Sequence, residues 1–259
     1  MDDTDNLRET LLSSETKSGI LAGAVNTDAR HSTFVNIAGN LHSTYVNSVP
    51  ESTEILATLK PIERGRSYIP PCLDGTREKI FNEIDPSQWL GDVDAPNVVW
   101  LAGGPGAGKS TIASSLVSKL TVRRRLGASF FFRRGDATLS DPTALWRTIA
   151  YDLALFEPVF SRNLIKALKE RKIDPGWPDI ALHFKIMIQE LLMKTYDHTP
   201  AHTIPVILID VFDECDSDHF PAQRKALLDT LTQWSHLPKK FKLIVTGRDD
   251  RVPQPFRVV

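Results

Sequence analysis

The sequence predicts an α/β fold in which a mainly parallel sheet is covered by helices on both faces. Three short segments, at 98–102, 205–210 and 241–246, are almost wholly apolar and have the length of buried strands. Segments with apolar residues at helical spacing lie between them. This alternation of strand and helix is typical of parallel strands that are buried on both faces.

The remaining elements are predicted from the same patterns. Residues 50–70 indicate a linker or a short helix, and a further buried strand is expected at 126–132. Asp141 and Pro142 predict the start of a helix, with Asp as the N-cap and Pro at the first helical position. Other helices are expected at about 76–84, 111–117, 158–172, 179–196 and 221–235.

The composition indicates an intracellular protein. The net charge of −1 over 259 residues gives no field that would favour nucleic acid or an anionic membrane as a partner. The two cysteines, Cys72 and Cys215, are far apart in sequence and indicate no disulfide framework. The N-terminus is polar and acidic, unlike a signal peptide, and the apolar runs are only as long as strands. We therefore expect a cytoplasmic protein without a membrane span.

The N-terminal part differs from the rest of the chain. Residues 1–69 are expected to be a largely disordered extension, because Ser, Thr, Asp and Asn are prominent in its first thirty residues. Within it, residues 32–49 read STFVNIAGNLHSTYVNSV and combine β-branched residues with few charges. Two interpretations stay open for this segment, a marginal hairpin or loop and a β-forming self-assembly motif.

A phosphate loop occupies residues 103–110, which read GGPGAGKS and match G-x-x-x-x-G-K-[ST]. The loop lies between a predicted strand and a predicted helix, as this motif requires. Lys109 is expected to reach the β- and γ-phosphates of a nucleotide, and the Ser110 hydroxyl to bind Mg²⁺. The residues predicted to bind the nucleotide are Gly103, Gly104, Pro105, Gly106, Ala107, Gly108, Lys109, Ser110 and Thr111.

A second motif, ILIDVFDECD at 207–216, is an apolar strand that ends in acidic residues. In an open α/β sheet, ligands bind at the carboxyl ends of the strands, so these acids are expected beside the phosphate loop. Asp210 is the candidate Mg²⁺ ligand. Glu214 is the candidate for orienting the attacking water, and Asp213 is a competing candidate for the same role.

The third motif, FKLIVTGRDD at 241–250, places Thr246 and Arg248 at the end of another core strand. A fixed cation at this position is suited to reading the γ-phosphate and stabilising charge in the transition state. The alternative for Arg248 is an ordinary surface arginine.

Together these motifs resemble the STAND class of P-loop ATPases, most closely the NACHT-type domains of fungal proteins related to the nephrocystin N-terminal domain. The resemblance covers about residues 70–250 and includes ASFFFRRGDATLSDPTALWRTIAYDLA at 128–154. It also includes CLDGTREKIF at 72–81, which in this family lies near the nucleotide base. One departure is Gly247, which stands where the family usually has Ser.

The resemblance implies a P-loop NTPase three-layer sandwich over residues 70–259, ending before any winged-helix or repeat region. It implies ATP or ADP and Mg²⁺ as ligands, with Glu214, Asp213 and Arg248 in catalytic roles. The implied function is an ATP-binding, slowly hydrolysing switch that couples nucleotide state to assembly with itself or with other NLR-like chains. Two alternatives stay open: a P-loop kinase acting on a small molecule, and a nucleotide-binding interaction module without turnover.

Overall fold

The computed structural model describes residues 51–62, 69–84, 89–92, 94–197, 199, 203–215, 221–248 and 256–258. The hypotheses on residues 1–50, including the β-forming segment at 32–49, lie outside these described residues. Within the described part of the chain, no helix combines the length and the apolar composition needed to span a membrane.

The centre of the fold is a sheet in which all paired strands run parallel. Its strands are β1 (Val98–Ala102), β2 (Leu126–Phe131), β3 (Val206–Asp210), β4 (Leu243–Gly247) and β5 (Arg257–Val258). Their order across the sheet is β2-β3-β4-β1-β5. The predicted parallel α/β class is therefore confirmed, and β4 lies between the strand before the phosphate loop and the acidic strand.

Two of the described helices precede β1 in the chain, and six lie between β1 and β4. They are α1 (Glu51–Ala57), α2 (Glu78–Ile84), α3 (Lys109–Val122), α4 (Ala144–Phe156), α5 (Pro158–Lys169), α6 (Ile180–His183), α7 (Glu190–Thr195) and α8 (Pro221–Ser235). A π-helical turn, Phe184–Gln189, joins α6 to α7, and a short 3₁₀ turn, Phe212–Glu214, follows β3.

Hydrophobic clusters cover both faces of the sheet. Alternate residues of a strand point to opposite faces. Val99 and Leu101 of β1 accordingly pack in one cluster with Ile112 and Leu116 of α3. Trp100, between them in sequence, packs in the other cluster, which also holds buried residues of α4 and α8. This arrangement confirms helices on both faces and leaves the carboxyl ends of the strands as the place for a site.

Some element boundaries differ from the prediction for local reasons. Helix α4 begins at Ala144 and not at Pro142, because the Asp141 carboxylate accepts hydrogen bonds from the Thr143 amide and hydroxyl, both at 2.8 Å, and forms a turn before the helix. Strand β4 begins at Leu243, after a turn in which the Phe241 amide donates to the Pro238 carbonyl. Strand β5 was not predicted, and with two residues it carries almost no periodic signal.

Candidate functional site

The phosphate loop connects β1 to α3 at the carboxyl edge of the sheet. Gly106 and Gly108 adopt φ values of 74° and 84°, in the left-handed region where a side chain would be strained. Helix α3 starts directly after Gly108, whose carbonyl accepts the Ile112 amide at 3.0 Å. The first amide groups of a helix have no partner within it, so they are available to an anion at the loop.

Lys109 lies over the loop that precedes it. Its Nζ donates to the Gly103 carbonyl at 2.8 Å and to the Gly104 carbonyl at 3.1 Å. The Gly103 amide in turn donates to the Gly247 carbonyl at 3.2 Å, which ties the loop to β4. The ammonium group is therefore held against the first two residues of the loop.

Arg77 is a second cation at the loop, and sequence reasoning gave it no role. Its guanidinium donates to the Ala107 carbonyl at 3.2 Å, and its backbone adopts a φ of 60° just before α2. The segment 72–81 was expected near the nucleotide base. The contact with Ala107 shows that the segment reaches the phosphate loop, whereas its place near the base stays a prediction. The signal for the contact was the Gly-Thr-Arg sequence at 75–77.

Asp210 ends β3 and is almost completely buried, with 1% of its surface exposed. The Thr246 hydroxyl donates to its Oδ1 at 2.6 Å, and the Val211 amide donates to the same hydroxyl at 2.8 Å. Its Oδ2 is buried and forms no hydrogen bond of acceptable geometry with the described residues, although the Ser110 hydroxyl lies near enough to the carboxyl group to lower its pKa. This unsatisfied oxygen fits a cation ligand better than a purely structural carboxyl group.

Burial raises the pKa of Asp210 from its ordinary value of 3.8 to about 6. This pKa already includes a smaller increase from the negative charge of Glu214 and decreases from the hydroxyls of Thr246 and Ser110 and the charge of Lys109. Ser110 of α3 and Asp210 of β3, the two candidate Mg²⁺ ligands, are therefore close enough to interact. A divalent cation there would favour the ionised carboxylate.

The chain turns sharply after β3 and presents two further acids. Val211 has a φ of 51°, which is unusual for a β-branched residue. The 3₁₀ turn Phe212–Glu214 follows, and the Phe212 ring packs edge-on against Trp100 with ring centroids 5.8 Å apart. Strained backbone of this kind persists where surrounding packing imposes it, and it is common at functional sites.

The two acids of this turn have different partners. Asp213 Oδ2 accepts a hydrogen bond from Arg248 Nε at 3.0 Å, in an ion pair whose Asp side chain is 10% exposed and whose Arg side chain is 39% exposed. Glu214 Oε2 accepts from the Arg134 amide at 3.0 Å. Sequence reasoning preferred Glu214 and kept Asp213 as a competing candidate, and the structure shows that the two acids have different contacts.

The departure at Gly247 has a steric explanation. A Cβ at this position would lie 2.7 Å from Cζ2 of Trp100, which is closer than real Cβ contacts. The Trp100 indole is completely buried, and it stacks on Phe256 with centroids 6.1 Å apart. Glycine at 247 and tryptophan at 100 therefore fit each other as a pair.

The structure brings the predicted residues to one edge of the sheet, in two groups. Ser110, Asp210 and Glu214 line a common cavity of about 560 Å³. Asp213 and Arg248 instead form a pair with each other. The nine residues predicted to bind the nucleotide form the loop and the first turn of α3, and among them only Ser110 lines that cavity.

Comparison with known proteins agrees with this geometry. The family described as "Nephrocystin 3, N-terminal" matches residues 75–248, from the segment before α2 to the end of β4. The chain is also 24% identical over 177 residues to the vegetative incompatibility protein HET-E-1 of Podospora anserina. That alignment covers 66% of this chain and 12% of HET-E-1, so the chain spans a small part of that relative's length. The chain therefore belongs to the nephrocystin 3 N-terminal family, as the order and spacing of its motifs predict.

Proposed function

We propose that this chain is an ATP-binding switch domain that hydrolyses ATP slowly in the presence of Mg²⁺. One observation carries the proposal: the buried Asp210 has an oxygen without a partner among the described residues, close to Ser110 at the start of α3. A carboxylate and a hydroxyl beside a phosphate loop are the groups that hold Mg²⁺ in P-loop proteins.

Phosphate binding is assigned to the loop amides and Lys109. The Lys109 ammonium donates to two loop carbonyls, and phosphate oxygens could replace these carbonyls as its partners. The positive end of α3 adds to the attraction. Mg²⁺, held by Ser110 and Asp210, would supply charge neutralisation on the phosphates.

Water orientation is assigned to Glu214. The Arg134 amide fixes one of its carboxylate oxygens, and the side chain lines the same cavity as Ser110 and Asp210. Asp213 is less suited to this role because it does not line that cavity and is paired with Arg248. We therefore keep Asp213 as the competing candidate and assign it first to holding Arg248.

Arg248 is assigned to reading the γ-phosphate. Its guanidinium is partly exposed and paired with Asp213, so it can exchange one negatively charged partner for another at modest cost. Loss of the γ-phosphate would return Arg248 to Asp213. This exchange gives the domain two states that differ in a single ion pair at the end of β4.

The output of the switch is proposed to be assembly, with other copies of this chain or with NLR-like chains in the cytoplasm. The support is the family match, together with a relative whose name describes vegetative incompatibility. A small-molecule kinase remains the alternative enzyme, and a module that binds ATP without turnover remains the alternative binding protein.

Phosphate release from Mg-ATP tests the proposal. The wild-type chain should release phosphate slowly and catalytically, and chelation of Mg²⁺ by EDTA should stop it. Lys109→Ala should also stop it, because the charge facing the phosphates is lost. Release at the wild-type rate from the Lys109 variant would contradict the assignment, and stoichiometric ATP binding without any release would favour the module without turnover.

A further inference from the structure

The cavity beside Asp210 extends from the candidate Mg²⁺ site along α3 and β2. Its volume of about 560 Å³ lies within the range of about 300–1,000 Å³ that is usual for small-molecule sites. Ser110, Asp210 and Glu214 are among the residues that line the cavity. None of the loop residues 103–108 lines it. The cavity therefore shares Ser110 with the phosphate loop and lies beside the other loop residues.

The rest of the cavity wall is mainly apolar. It is formed by α3, by β2 and the residues after it as far as Leu139, by Thr148 of α4, and by Ile62, Ile69 and Pro71. The apolar side chains that line it include Ile62, Ile69, Pro71, Val117, Phe132 and Leu139. Such a surface binds apolar molecules because their transfer from water is favourable.

One polar group in this wall has no role in the site described above. The Ser129 hydroxyl is buried, with 3% of the residue exposed, and has no hydrogen-bond partner among the described residues. Other hydroxyls of the wall are used: Thr148 Oγ1 accepts the Ile62 amide at 3.1 Å, and Ser114 Oγ donates to the Ile69 carbonyl at 2.7 Å. A buried hydroxyl without a partner is unfavourable, and a ligand with one hydrogen-bonding group would satisfy it.

We propose that this cavity binds an uncharged, largely apolar small molecule that carries one hydrogen-bonding group for Ser129. An occupant would contact Glu214 and Asp210 at the near end and exclude water from that side of the site. Its binding therefore slows ATP hydrolysis, while residues 103–109 of the loop, which do not line the cavity, stay open to the phosphates. This regulatory part rests on the proposed function, whereas the binding part does not.

The binding part is tested with N-phenyl-1-naphthylamine, an uncharged aromatic amine with a single N–H group whose fluorescence rises in apolar surroundings. Titration into the full chain should give saturable fluorescence. Ser118→Trp should weaken binding by roughly ten-fold or more, because Ser118 lines the cavity from α3 and an indole there would fill it. The substitution is tolerable, since Ser118 is exposed and its hydroxyl donates to the Ser114 carbonyl of its own helix.

Val122→Trp is the matched control. Val122 lies on the same helix, is 84% exposed and does not line the cavity, so this variant should bind the probe like wild type. Ser129→Ala keeps the cavity open and should weaken binding by roughly two- to ten-fold. Absence of saturable binding, or equal binding by the two tryptophan variants, would overturn the site. Unchanged binding by Ser129→Ala would remove Ser129 as the polar contact.

The regulatory part is tested by phosphate release at saturating probe. The maximal rate should fall while the affinity for ATP stays within about two-fold, because the phosphate loop remains accessible. An unchanged rate in a chain that binds the probe would overturn the coupling. If the chain releases no phosphate at all, the proposed function fails, and the fluorescence titration still decides whether the cavity is a site.

Discussion

Asp210 predicts a specific pH dependence of stability for the nucleotide-free protein. Burial raises the pKa of its carboxyl group from 3.8 to about 6, so the folded state favours the protonated form. The stabilisation by the protonated group is fully present below about pH 4 and is lost as the pH rises through about 6. The shift corresponds to about 3 kcal/mol in the free energy of unfolding.

Replacement of Asp210 by Asn isolates this contribution. The amide has nearly the shape of the protonated acid, and its oxygen can still accept the Thr246 hydroxyl, but it does not ionise. The free energy of unfolding of wild type relative to Asp210→Asn should therefore fall by about 2–3 kcal/mol between pH 4 and pH 7.5.

The assay is urea denaturation at half-unit pH intervals, with EDTA present and nucleotide absent. Each pH value gives one difference in free energy between wild type and variant. Asp229→Asn serves as the control, because Asp229 is an exposed carboxylate on α8 in an i,i+4 pair with Lys225. A difference between wild type and Asp210→Asn that stays constant over this pH range would refute the reasoning from burial.

Three further predictions concern the neighbouring residues. Glu214→Gln should leave ATP affinity within about two-fold and slow phosphate release, because the charged water-orienting group is lost; turnover stopped by Asp213→Asn but not by Glu214→Gln would exchange their roles. Arg248→Ala should weaken ATP roughly ten-fold more than ADP in calorimetric titrations, whereas equal losses would mean contact with shared phosphates or a structural role. Gly247→Ala should lower the free energy of unfolding by about 1–3 kcal/mol in urea denaturation because of the clash with Trp100; an equal loss in a Trp100→Phe background would contradict that explanation.

The parts of the site that were predictable are local in sequence. The phosphate loop, the strand before it and the helix after it are contiguous, so residues 98–122 carried the whole pattern of strand, glycine loop and helix. Asp210 was similarly visible as the acid that ends an apolar strand. Parallel strands bring such ends to one edge of the sheet, so the sequence predicts the acidic strand end beside the loop.

The parts that were not predictable depend on contacts between distant residues. The pairing of Arg248 with Asp213 joins positions 35 residues apart, and the bond from the Arg134 amide to Glu214 joins positions 80 apart. Neither contact produces a periodic pattern in the sequence. The sequence therefore left both Glu214 and Asp213 as candidates for orienting the attacking water. The contact between Arg77 and the Ala107 carbonyl was missed for the same reason.

The strand order also had to come from the structure. Strand β4 lies between β1 and β3, so Thr246 reaches Asp210 and the Gly247 carbonyl reaches the Gly103 amide. Sequence order alone does not predict which strands are neighbours. The resulting network is what connects the phosphate loop to the buried acid.

Binding of ATP at the phosphate loop is the central claim, and calorimetric titration with Mg-ATP tests it most directly. The wild-type chain should bind one nucleotide, and Lys109→Ala should lose that binding because the positive charge over the loop is removed. Lys119→Ala, which removes an exposed lysine from the same helix, should bind like wild type. Binding of equal affinity by wild type and Lys109→Ala, or no binding by wild type, would contradict the account.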